Sequence, residues 1–550
     1  MKDRFAIKIS GPAGTGVMQA GETLSKALNR LGFYTLVYPE YPSRIRGGDN
    51  HIQVVFSNKQ ALSPQLTMDL LLAFGKANYE AHLPEVDKEG KIFEASELGL
   101  DQIAKGLGNP ITINTAGLGF LWAVLGFERE VLLDQIKDDL QAKATLLDLN
   151  LQAAQKGFDK AVSEDLSVQV NLPKNEERIV NLTGNEALTK GVLEAKCNFA
   201  AIYPMTPINA ILSLLAKEQV KIFRPEDEIA GIMAAIGASY AGDRAMVATS
   251  GGGFSLMVEG LGLAGIAEIP LVIVLGQRTG PSTGMATFSS QADLNFAINA
   301  GHGEFPRIVL TPGDLEEAYR LGGEAFNLAD KYQVPVILMT DKYLAENRLS
   351  VSSQVLDKVQ ISVDRGKLAK DFKDNKEMVK RYEFTSDYIS SRVFPGQATF
   401  LTNSYEHDEY GFSTDDPQVR EKMMEKRDKK LASLTGGFEV YGNKEAETTL
   451  VGWGSTKEIL LDYITDHPEF SLVHFWRPWP FPKEAEEVLR KAKKLIVVEG
   501  NFSGQLADLI EQETCLPAGK AGLKSERILK DNGRPFYKEE LETAIRCQVK

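Results

Sequence analysis

The chain has 550 residues, of which 43% are hydrophobic and 25% are charged, an ordinary composition for a globular protein with several hydrophobic cores. Its formal net charge of −13 argues against nucleic acid or an anionic membrane surface as the main partner. No apolar run approaches the roughly 20 residues that span a bilayer. The cysteines Cys197, Cys515 and Cys547 lack the close spacing of an iron–sulfur or zinc site. We therefore expect a soluble, cytoplasmic protein without a metal site of its own.

The first 172 residues show strand and helix patterns in alternation, which predicts an α/β domain. A helix is expected from about Val17 to Leu31, and the charged stretch from Ser163 to Glu177 is expected to be a linker. The predicted strands are Phe5–Ser10, Tyr34–Tyr38, Ile52–Phe56 and Met68–Phe74.

Residues 173–350 form the second predicted domain. Its short, continuous apolar strands, separated by helices, are typical of a parallel sheet covered on both faces. These strands are Phe199–Tyr203, Ala245–Thr249, Pro270–Gly276, Arg307–Leu310 and Pro335–Met339.

The rest of the chain is predicted to hold an irregular connecting region, residues 351–445, and a third α/β domain, residues 446–550. Within the connecting region, the charged run Glu421–Leu431 predicts a solvated helix. The strands predicted for the last domain are Thr448–Gly452, Phe470–Phe475 and Lys494–Glu499.

A glycine-rich loop follows the first strand and contains Gly11, Gly14 and Gly16. Glycines at the start of a helix let backbone N–H groups approach a phosphate. The loop matches neither a Walker loop, because Val17 stands where the lysine should be, nor the G-x-G-x-x-G pattern. A ligand-binding loop and a simple tight turn both remain open, and the basic turn with Arg46 and Gly47 suggests a second anion-binding segment.

In the second domain, the strand from Phe199 leads into a turn with Tyr203, Pro204 and Thr206. Ligands of open α/β sheets bind at the carboxyl ends of strands, where this turn lies. The alternative is an ordinary strand-to-helix turn in which Thr206 or Asn209 caps the next helix.

Two further segments suggest that the same sheet edge forms a site. Ser250, Gly251 and Gly252 end one strand in a loop that a ligand can approach closely, and Arg278 ends the next strand, where its guanidinium can bind a carboxylate by two hydrogen bonds. Glu228 begins an apolar helix of small residues suited to packing against another subunit. Acidic residues are also favoured in any first helical turn, so a purely structural role for Glu228 remains an alternative.

These segments together resemble the α subunit of 2-oxoacid:ferredoxin oxidoreductases, and the N-terminal loop with the basic turn resembles that family's γ domain. The resemblance covers nearly the whole chain. The segments that carry it are Tyr203–Pro207, Glu228, Ser250–Gly253, Gln277–Gly284, Gln291–Leu294, His302–Glu304 and Glu406–Gly411, with Gly11–Gly16 and Tyr41–Gly48 for the γ part.

The resemblance implies a γ-type α/β domain, then a thiamine-diphosphate pyrimidine-type domain with a parallel sheet, and last a transketolase C-terminal-like α/β domain. Glu228 matches the glutamate that hydrogen-bonds the cofactor's aminopyrimidine ring. Thr206 and Arg278 match the substrate-contacting residues, with Arg278 binding the carboxylate of the 2-oxoacid. The γ-type domain would help to enclose coenzyme A.

The chain lacks a Gly-Asp-Gly tract followed by asparagines and lacks clustered cysteines. Mg²⁺ and a [4Fe–4S] cluster are therefore expected on a β subunit, which would complete the thiamine diphosphate site and pass electrons to ferredoxin. The expected product is acyl-CoA, made from a 2-oxoacid and coenzyme A by an αβ complex or its dimer. Gly280–Gly284 and His302–Glu304 look more like the 2-oxoglutarate branch than the pyruvate branch.

Three alternatives stay open at the level of sequence. One is a non-redox thiamine diphosphate transferase or decarboxylase, and another is a non-catalytic scaffold subunit. The third is a nucleotide-binding protein that uses the Gly11 loop.

Overall fold

The computed structural model describes residues 2–42, 48–60, 62–141, 144–369, 378–514 and 524–549. Among the helices so described, none combines the length and the apolar character needed to cross a lipid bilayer. The strands, in chain order, are β1 (Arg4–Gly11), β2 (Tyr34–Glu40), β3 (Asn50–Ser57), β4 (Met68–Ala73), β5 (Val86–Glu94), β6 (Ile179–Thr183), β7 (Phe199–Ile202), β8 (Lys221–Phe223), β9 (Ala245–Ser250), β10 (Leu271–Gln277), β11 (Ile308–Leu310), β12 (Pro335–Asp341), β13 (Arg348–Ser352), β14 (Phe438–Gly442), β15 (Thr448–Trp453), β16 (Phe470–Phe475), β17 (Lys494–Glu499) and β18 (Lys524–Leu529).

The helices alternate with these strands through most of the chain. In chain order they are α1 (Val17–Arg30), α2 (Lys76–His82), α3 (Leu100–Gly106), α4 (Ile113–Val124), α5 (Arg129–Leu140), α6 (Ala144–Ser163), α7 (Gly184–Glu194), α8 (Asn209–Leu215), α9 (Glu228–Tyr240), α10 (Gly251–Leu256), α11 (Val258–Ile266), α12 (Leu294–Asn299), α13 (Leu315–Tyr332), α14 (Lys342–Glu346), α15 (Ser353–Asp357), α16 (Pro417–Lys429), α17 (Thr456–Asp466), α18 (Lys483–Lys491), α19 (Gln505–Thr514) and α20 (Lys538–Val549).

The chain folds into two compact units, each assembled from separate stretches of sequence. The first contains Met1–Thr183, Glu346–Lys358 and Phe536–Cys547, and the second contains Gly184–Ala345, Val359–Pro535 and Gln548–Lys550. The first unit thus takes in β6 and β13, which lie in the second domain predicted from sequence. The four-domain division of the chain stays a prediction.

The first unit is built on a mixed sheet with the strand order β5-β4-β1-β3-β2-β13-β6. Strands β5, β4 and β1 run parallel, whereas the pairings from β1 through β3, β2 and β13 to β6 are antiparallel. Buried side chains of α1 and α4 cover the sheet and form one apolar core with it. The sequence predicts β1 to β4 and α1, but it gives no signal for β5, β6 or β13.

The second unit contains the predicted parallel sheet. All pairings in its order β11-β12-β10-β9-β7-β8 are parallel. The short strand β8 was not predicted. A second sheet of the unit, in the order β14-β16-β15-β17-β18, is parallel except for its edge strand β14. Apolar side chains of both sheets belong to one continuous buried cluster.

The prediction of a solvated helix over Glu421–Leu431 is wrong in one respect. The helix exists as α16, but Met423 and Lys426 on it are buried. The Lys426 ammonium lies 2.7 Å from a carboxylate oxygen of the buried Glu268, and the Lys430 ammonium lies 2.8 Å from the other oxygen. Burial lowers the pKa of Lys430 to about 7, although the Glu268 charge opposes that shift. A lysine that pairs with a buried carboxylate from a distant part of the sequence cannot be distinguished from a surface lysine by the local sequence pattern.

Candidate functional site

Three neighbouring strands of the parallel sheet end at the same edge, and each leads into a predicted site segment. Strand β7 ends at Ile202, β9 at Ser250 and β10 at Gln277, and the order β10-β9-β7 makes them neighbours. Parallel strands place their carboxyl ends together, and this edge binds ligands in open α/β sheets. The sheet therefore brings the predicted threonine, glycine and arginine segments to one place.

The turn after β7 lies directly against the ends of β9 and β10. An Arg278 N–H donates to the Thr206 carbonyl oxygen at 3.2 Å, and the Ser250 hydroxyl donates to the Met205 sulfur at 3.2 Å. A side chain at Gly276 would meet the Ile208 side chain at 2.6 Å, so the close approach requires glycine. Thr206 and Arg278, both predicted as site residues, are thus in direct contact.

The capping alternative for this turn is wrong. Helix α8 begins at Asn209, and its cap residue is Ile208, whose side chain makes no capping hydrogen bond. Thr206 lies outside the cap position. Tyr203 and Pro204, at the start of the same turn, are exposed at the sheet edge.

Glu228 is the first residue of α9, but it is not the residue that caps the helix. The Asp227 side chain accepts a hydrogen bond from the Ala230 backbone N–H at 2.9 Å and is the cap. Glu228 is only 4% exposed, and its carboxylate has no hydrogen bond or ion pair with any of the described residues. The usual structural reason for an acidic residue in a first helical turn therefore applies to Asp227 and not to Glu228.

The glycines after β9 leave room for that carboxylate. A Cβ atom at Gly253 would lie 2.6 Å from Glu228 Oε1 and 2.0 Å from Thr249 Oγ1. A Cβ at Gly251 would lie 2.6 Å from an Asp293 carboxylate oxygen, while one at Gly252 would meet nothing within 4 Å. The loop thus packs two carboxylates against bare backbone on either side of an exposed glycine.

Arg278 is half-buried and has no acidic partner among the described residues. Desolvation by burial lowers the pKa of its guanidinium, because the charged form is disfavoured away from water. A partly desolvated arginine whose described partner is a single carbonyl can still bind a carboxylate through two parallel N–H groups.

Asp293 is a candidate site residue to which the sequence analysis gives no role. Burial raises the pKa of its carboxyl group to about 6. The neighbouring Gln291 fixes this segment through backbone and side-chain hydrogen bonds to Gly500, at 2.7 and 2.8 Å. The acidic residue within Gln291–Leu294 was visible in sequence, but its position beside Gly251 depends on the fold.

The predicted glycine loop of the first unit borders a cavity of about 570 Å³. Gly14 and Gly16 adopt positive φ angles of 97° and 79°, and both line the cavity. A Cβ at Gly16 would lie 2.1 Å from Asn114 Nδ2, whereas one at Gly14 would meet nothing within 4 Å. Gly11 packs against Thr15 and Phe74 just before the loop. A tight turn and an open pocket are therefore present together.

Other parts of the first unit complete this cavity, among them Tyr41, Asn50 and the return segment with Glu346 and Arg348. The basic-turn residues Arg46 and Gly47 lie outside the described residues.

Comparisons with known proteins agree with this architecture. The family model described as "Pyruvate flavodoxin/ferredoxin oxidoreductase, thiamine diP-bdg" matches residues 190–426, and the one described as "Pyruvate ferredoxin/flavodoxin oxidoreductase" matches residues 6–160. The 2-oxoacid:ferredoxin oxidoreductase subunit alpha of a Sulfolobus species is 32% identical over 98% of this chain and 96% of its own length. The 2-oxoglutarate synthase subunit KorA of Methanocaldococcus jannaschii is 33% identical over 66% of this chain and 98% of its own length.

A solved structure shows the same fold. The 2-oxoglutarate:ferredoxin oxidoreductase from Magnetococcus marinus, with 2-oxoglutarate, coenzyme A and succinyl-CoA bound, superposes with a TM-score of 0.88 and 29% identity over the full length of both chains.

Fold and relatives together define a subunit of a thiamine-diphosphate-dependent oxidoreductase that acts on 2-oxoacids. The chain belongs to the family of 2-oxoacid:ferredoxin oxidoreductase α subunits. These relatives are redox enzymes, which favours this interpretation over a non-redox transferase or a nucleotide-binding protein.

The raised pKa of Asp293 predicts a pH dependence of stability. Its folded-state pKa of about 6 exceeds the value of about 4 for an aspartate in an unfolded chain, so the folded protein holds this proton more tightly. The stabilisation is complete below about pH 4 and is lost as the pH rises through about 6, by about 3 kcal/mol. Urea unfolding of the purified chain between pH 4 and 7 should show this slope, and Asp293→Asn should remove it. The exposed Asp428→Asn control should retain the slope; equal slopes in wild type and Asp293→Asn would contradict the prediction.

Proposed function

We propose that this chain is the α subunit, fused to an N-terminal γ-type domain, of an enzyme that converts a 2-oxoacid and coenzyme A into acyl-CoA and CO₂ while reducing ferredoxin. The observation that carries the proposal is the buried, unpartnered carboxylate of Glu228 beside the open backbone at Gly252, with Arg278 at the same sheet edge. A scaffold subunit would have no reason to maintain this arrangement.

The residues at the edge fit the pyrimidine half of thiamine diphosphate. Glu228 would hold a proton between its carboxylate and a ring nitrogen, and Ser250, Gly251 and Gly252 would let the ring approach the backbone. Bound thiamine diphosphate supplies the electron sink for loss of CO₂ from a 2-oxoacid. The chain itself therefore contributes Glu228 as the proton-transferring group and a partly desolvated surface, at Ser250–Gly252, that the ring can approach.

Arg278 would bind the carboxylate group next to the 2-oxo carbon. Its contact with the Thr206 carbonyl fixes one N–H and so orients the guanidinium plane toward the site. Two parallel hydrogen bonds from a planar group hold a carboxylate in one orientation, which positions the 2-oxo carbon for reaction. Thr206 thus acts here through its backbone, and Tyr203 and Pro204 set the turn that carries it.

The 2-oxoacid proposed here is 2-oxoglutarate. The relative in Methanocaldococcus jannaschii is named a 2-oxoglutarate synthase subunit, and the Magnetococcus marinus structure holds 2-oxoglutarate and succinyl-CoA. Gly280–Gly284, the segment that resembles the 2-oxoglutarate branch, is exposed and begins two residues after Arg278. In this proposal the second carboxylate of the substrate would lie toward that exposed segment.

A β subunit is proposed to supply what the sequence lacks, namely the Mg²⁺–diphosphate site, the [4Fe–4S] cluster and the contact with ferredoxin. Support comes from α9, where Ile229 and Met233 are 47% and 44% exposed and Gly237 continues the same exposed stripe. Large apolar side chains flanked by small residues on one helix face are suited to close packing against another polypeptide. This stripe begins one residue after Glu228, so a partner seated on it would lie beside the carboxylate.

Coenzyme A is proposed to bind in the cavity of the first unit. The loop Gly11–Gly16 leads into the 14-residue helix α1, and phosphate groups are favoured at such a helix start by its unpaired N–H groups and its dipole. The cavity volume of about 570 Å³ suits part of a nucleotide-containing ligand.

The direct test is reconstitution of the chain with a β subunit of this family. The complex should reduce a viologen dye only when 2-oxoglutarate and coenzyme A are both present, and the chain alone should be inactive. Turnover by the isolated chain, or reduction without coenzyme A, would refute the proposal.

Replacing Glu228 should remove catalysis without disrupting assembly. In the reconstituted complex, Glu228→Gln should lower kcat by about 10²- to 10⁴-fold, the usual contribution of a positioned acid–base group. Exposed Glu226, two residues earlier, provides the matched control, and Glu226→Gln should behave as wild type. Size-exclusion chromatography should show the same complex for all three proteins. A Glu228→Gln complex with full activity would exclude Glu228 from the mechanism.

Replacing Arg278 should weaken substrate binding in particular. Loss of charge-assisted hydrogen bonds of about 1.5–3 kcal/mol predicts a KM for 2-oxoglutarate raised about 10- to 100-fold in Arg278→Ala, with the KM for coenzyme A unchanged. Arg278→Lys should recover little, because an ammonium does not reproduce the two parallel bonds. The exposed Arg224→Ala variant serves as control. An unchanged KM for 2-oxoglutarate in Arg278→Ala would contradict the assigned role.

The coenzyme A pocket can be tested with two glycines in matched environments. Gly14 and Gly126 both have positive φ, and a Cβ atom at either would meet none of the described residues within 4 Å. Alanine at each position therefore carries a similar backbone cost of about 1–2 kcal/mol. Only Gly14→Ala places a methyl group in the cavity and should raise the KM for coenzyme A. Equal coenzyme A kinetics for the two variants would remove the cavity from the proposal.

A further inference from the structure

A cluster of two histidines and an aspartate lies in the first unit and includes none of the residues assigned a role in the proposed function. Asp49, His51 and His82 each present one ligand atom, and these three atoms lie within 4.8 Å of one another. Asp49 Oδ2 is 2.7 Å from His82 Nε2 and 3.4 Å from His51 Nδ1. His82 is buried at the end of α2, and His51 sits near the start of β3, paired with Ser10 of β1.

His51 is the member that an ordinary hydrogen-bond network leaves unexplained. Its Nδ1 atom is buried and has no well-aligned hydrogen-bond partner among the described residues, since its nearest acceptor, Asp49 Oδ2, lies 3.4 Å away in poor geometry. Buried polar atoms without partners are rare in folded proteins and indicate a ligand, an ion or a special role. A neutral imidazole nitrogen directed at a carboxylate and a second imidazole has the donor character of a metal ligand.

Hydrogen-bond partners outside the cluster orient His82 and Asp49, as outer partners usually orient metal ligands. Glu85 lies 3.0 Å and the Lys8 ammonium 3.5 Å from His82 Nδ1. The nearer carboxylate, by accepting the proton of that nitrogen, would turn the Nε2 lone pair toward the cluster. Ser10 and Asn78 each donate to Asp49 Oδ1 at 2.7 Å, which leaves Oδ2 for the histidines. Lys8 pairs with Glu85 and balances the second carboxylate.

We propose that Asp49, His51 and His82 form a binding site for a divalent cation of the Zn²⁺ type. Two imidazoles and one carboxylate match the nitrogen and oxygen donors that Zn²⁺ accepts, with water in the fourth position. Donors around a tetrahedral Zn²⁺ with bonds of about 2.0–2.1 Å stand roughly 3.3 Å apart. The Asp49–His51 distance of 3.4 Å is close to that value, and the Asp49–His82 distance of 2.7 Å would open by less than about 1 Å. The two histidine nitrogens lie within 4.8 Å of each other and would take up the same separation around the ion.

The competing interpretation is a metal-free ion pair, in which a protonated His82 bridges Asp49 and Glu85. The geometry of His82 alone suits both interpretations, since Asp49 Oδ2 lies 2.7 Å from its Nε2 atom and Glu85 Oε2 lies 3.0 Å from its Nδ1 atom. The metal-free ion pair, however, leaves His51 Nδ1 without a well-aligned partner among the described residues. The two interpretations therefore differ in whether His51 is required for binding a metal.

The test is metal binding by the full chain, which is independent of turnover and of the proposed enzymatic function. Zn²⁺ competition against a chromophoric chelator should give one ion per chain. Co²⁺ in its place should give visible absorption of a nitrogen- and oxygen-ligated ion without a thiolate charge-transfer band. His51→Gln and His82→Gln should each abolish this binding, and Glu85→Gln should weaken it by about 10- to 100-fold, as loss of an outer partner does. The exposed His302→Gln is the matched control and should bind as wild type.

The Co²⁺ spectrum of the wild-type chain decides the question even where a variant fails to fold. A thiolate band would assign the ion to a cysteine and overturn the proposal. Absence of stoichiometric Zn²⁺ binding, or binding that survives in either His51→Gln or His82→Gln, would overturn it as well.

Discussion

The contact between the Glu228 carboxylate and the bare backbone of Gly253 is the constraint on which the candidate site depends. Any side chain at residue 253 would collide with Glu228 Oε1 and with Thr249 Oγ1 at the end of β9. The glycine therefore lets the start of α9 approach the strand closely enough to bury a carboxylate. The preceding backbone position, Gly252, is open to a ligand. The glycine loop thus both allows the Glu228 carboxylate to be buried and leaves an open backbone position beside it.

That arrangement works because two neighbouring acidic residues have separate tasks. The Asp227 side chain accepts a hydrogen bond from the Ala230 backbone N–H at the start of α9, a cap worth about 1 kcal/mol, so Glu228 is not needed as a cap. A carboxylate released from capping can face the sheet edge, where Arg278 also lacks an acidic partner among the described residues. Because Glu228 and Arg278 do not form an ion pair with each other, both side chains can interact with a ligand bound at the three strand ends.

The sequence was sufficient for this edge because its signals are local. The apolar strands that lead into the segments with Tyr203, Ser250 and Arg278 are visible in the sequence, and parallel pairing then brings their ends together. The features that sequence reasoning missed depend on distant contacts. Lys426 is buried only because Glu268 meets it from a segment over 150 residues away. Strand β13 similarly joins the first unit's sheet from the far side of the second predicted domain.

In the first unit, alternate side chains of strand β3 contribute to two different features, the cavity beside the glycine loop and the histidine cluster. Asn50 and Ile52 line the cavity next to the glycine loop, whereas His51 between them belongs to the histidine cluster. Successive side chains of a strand point to opposite faces of the sheet, so neither site occupies space that the other needs. Both share one backbone, however, and Ser10, which pairs with His51, immediately precedes the loop at Gly11. A cation that fixed His51 would therefore also fix the strand that forms the cavity wall.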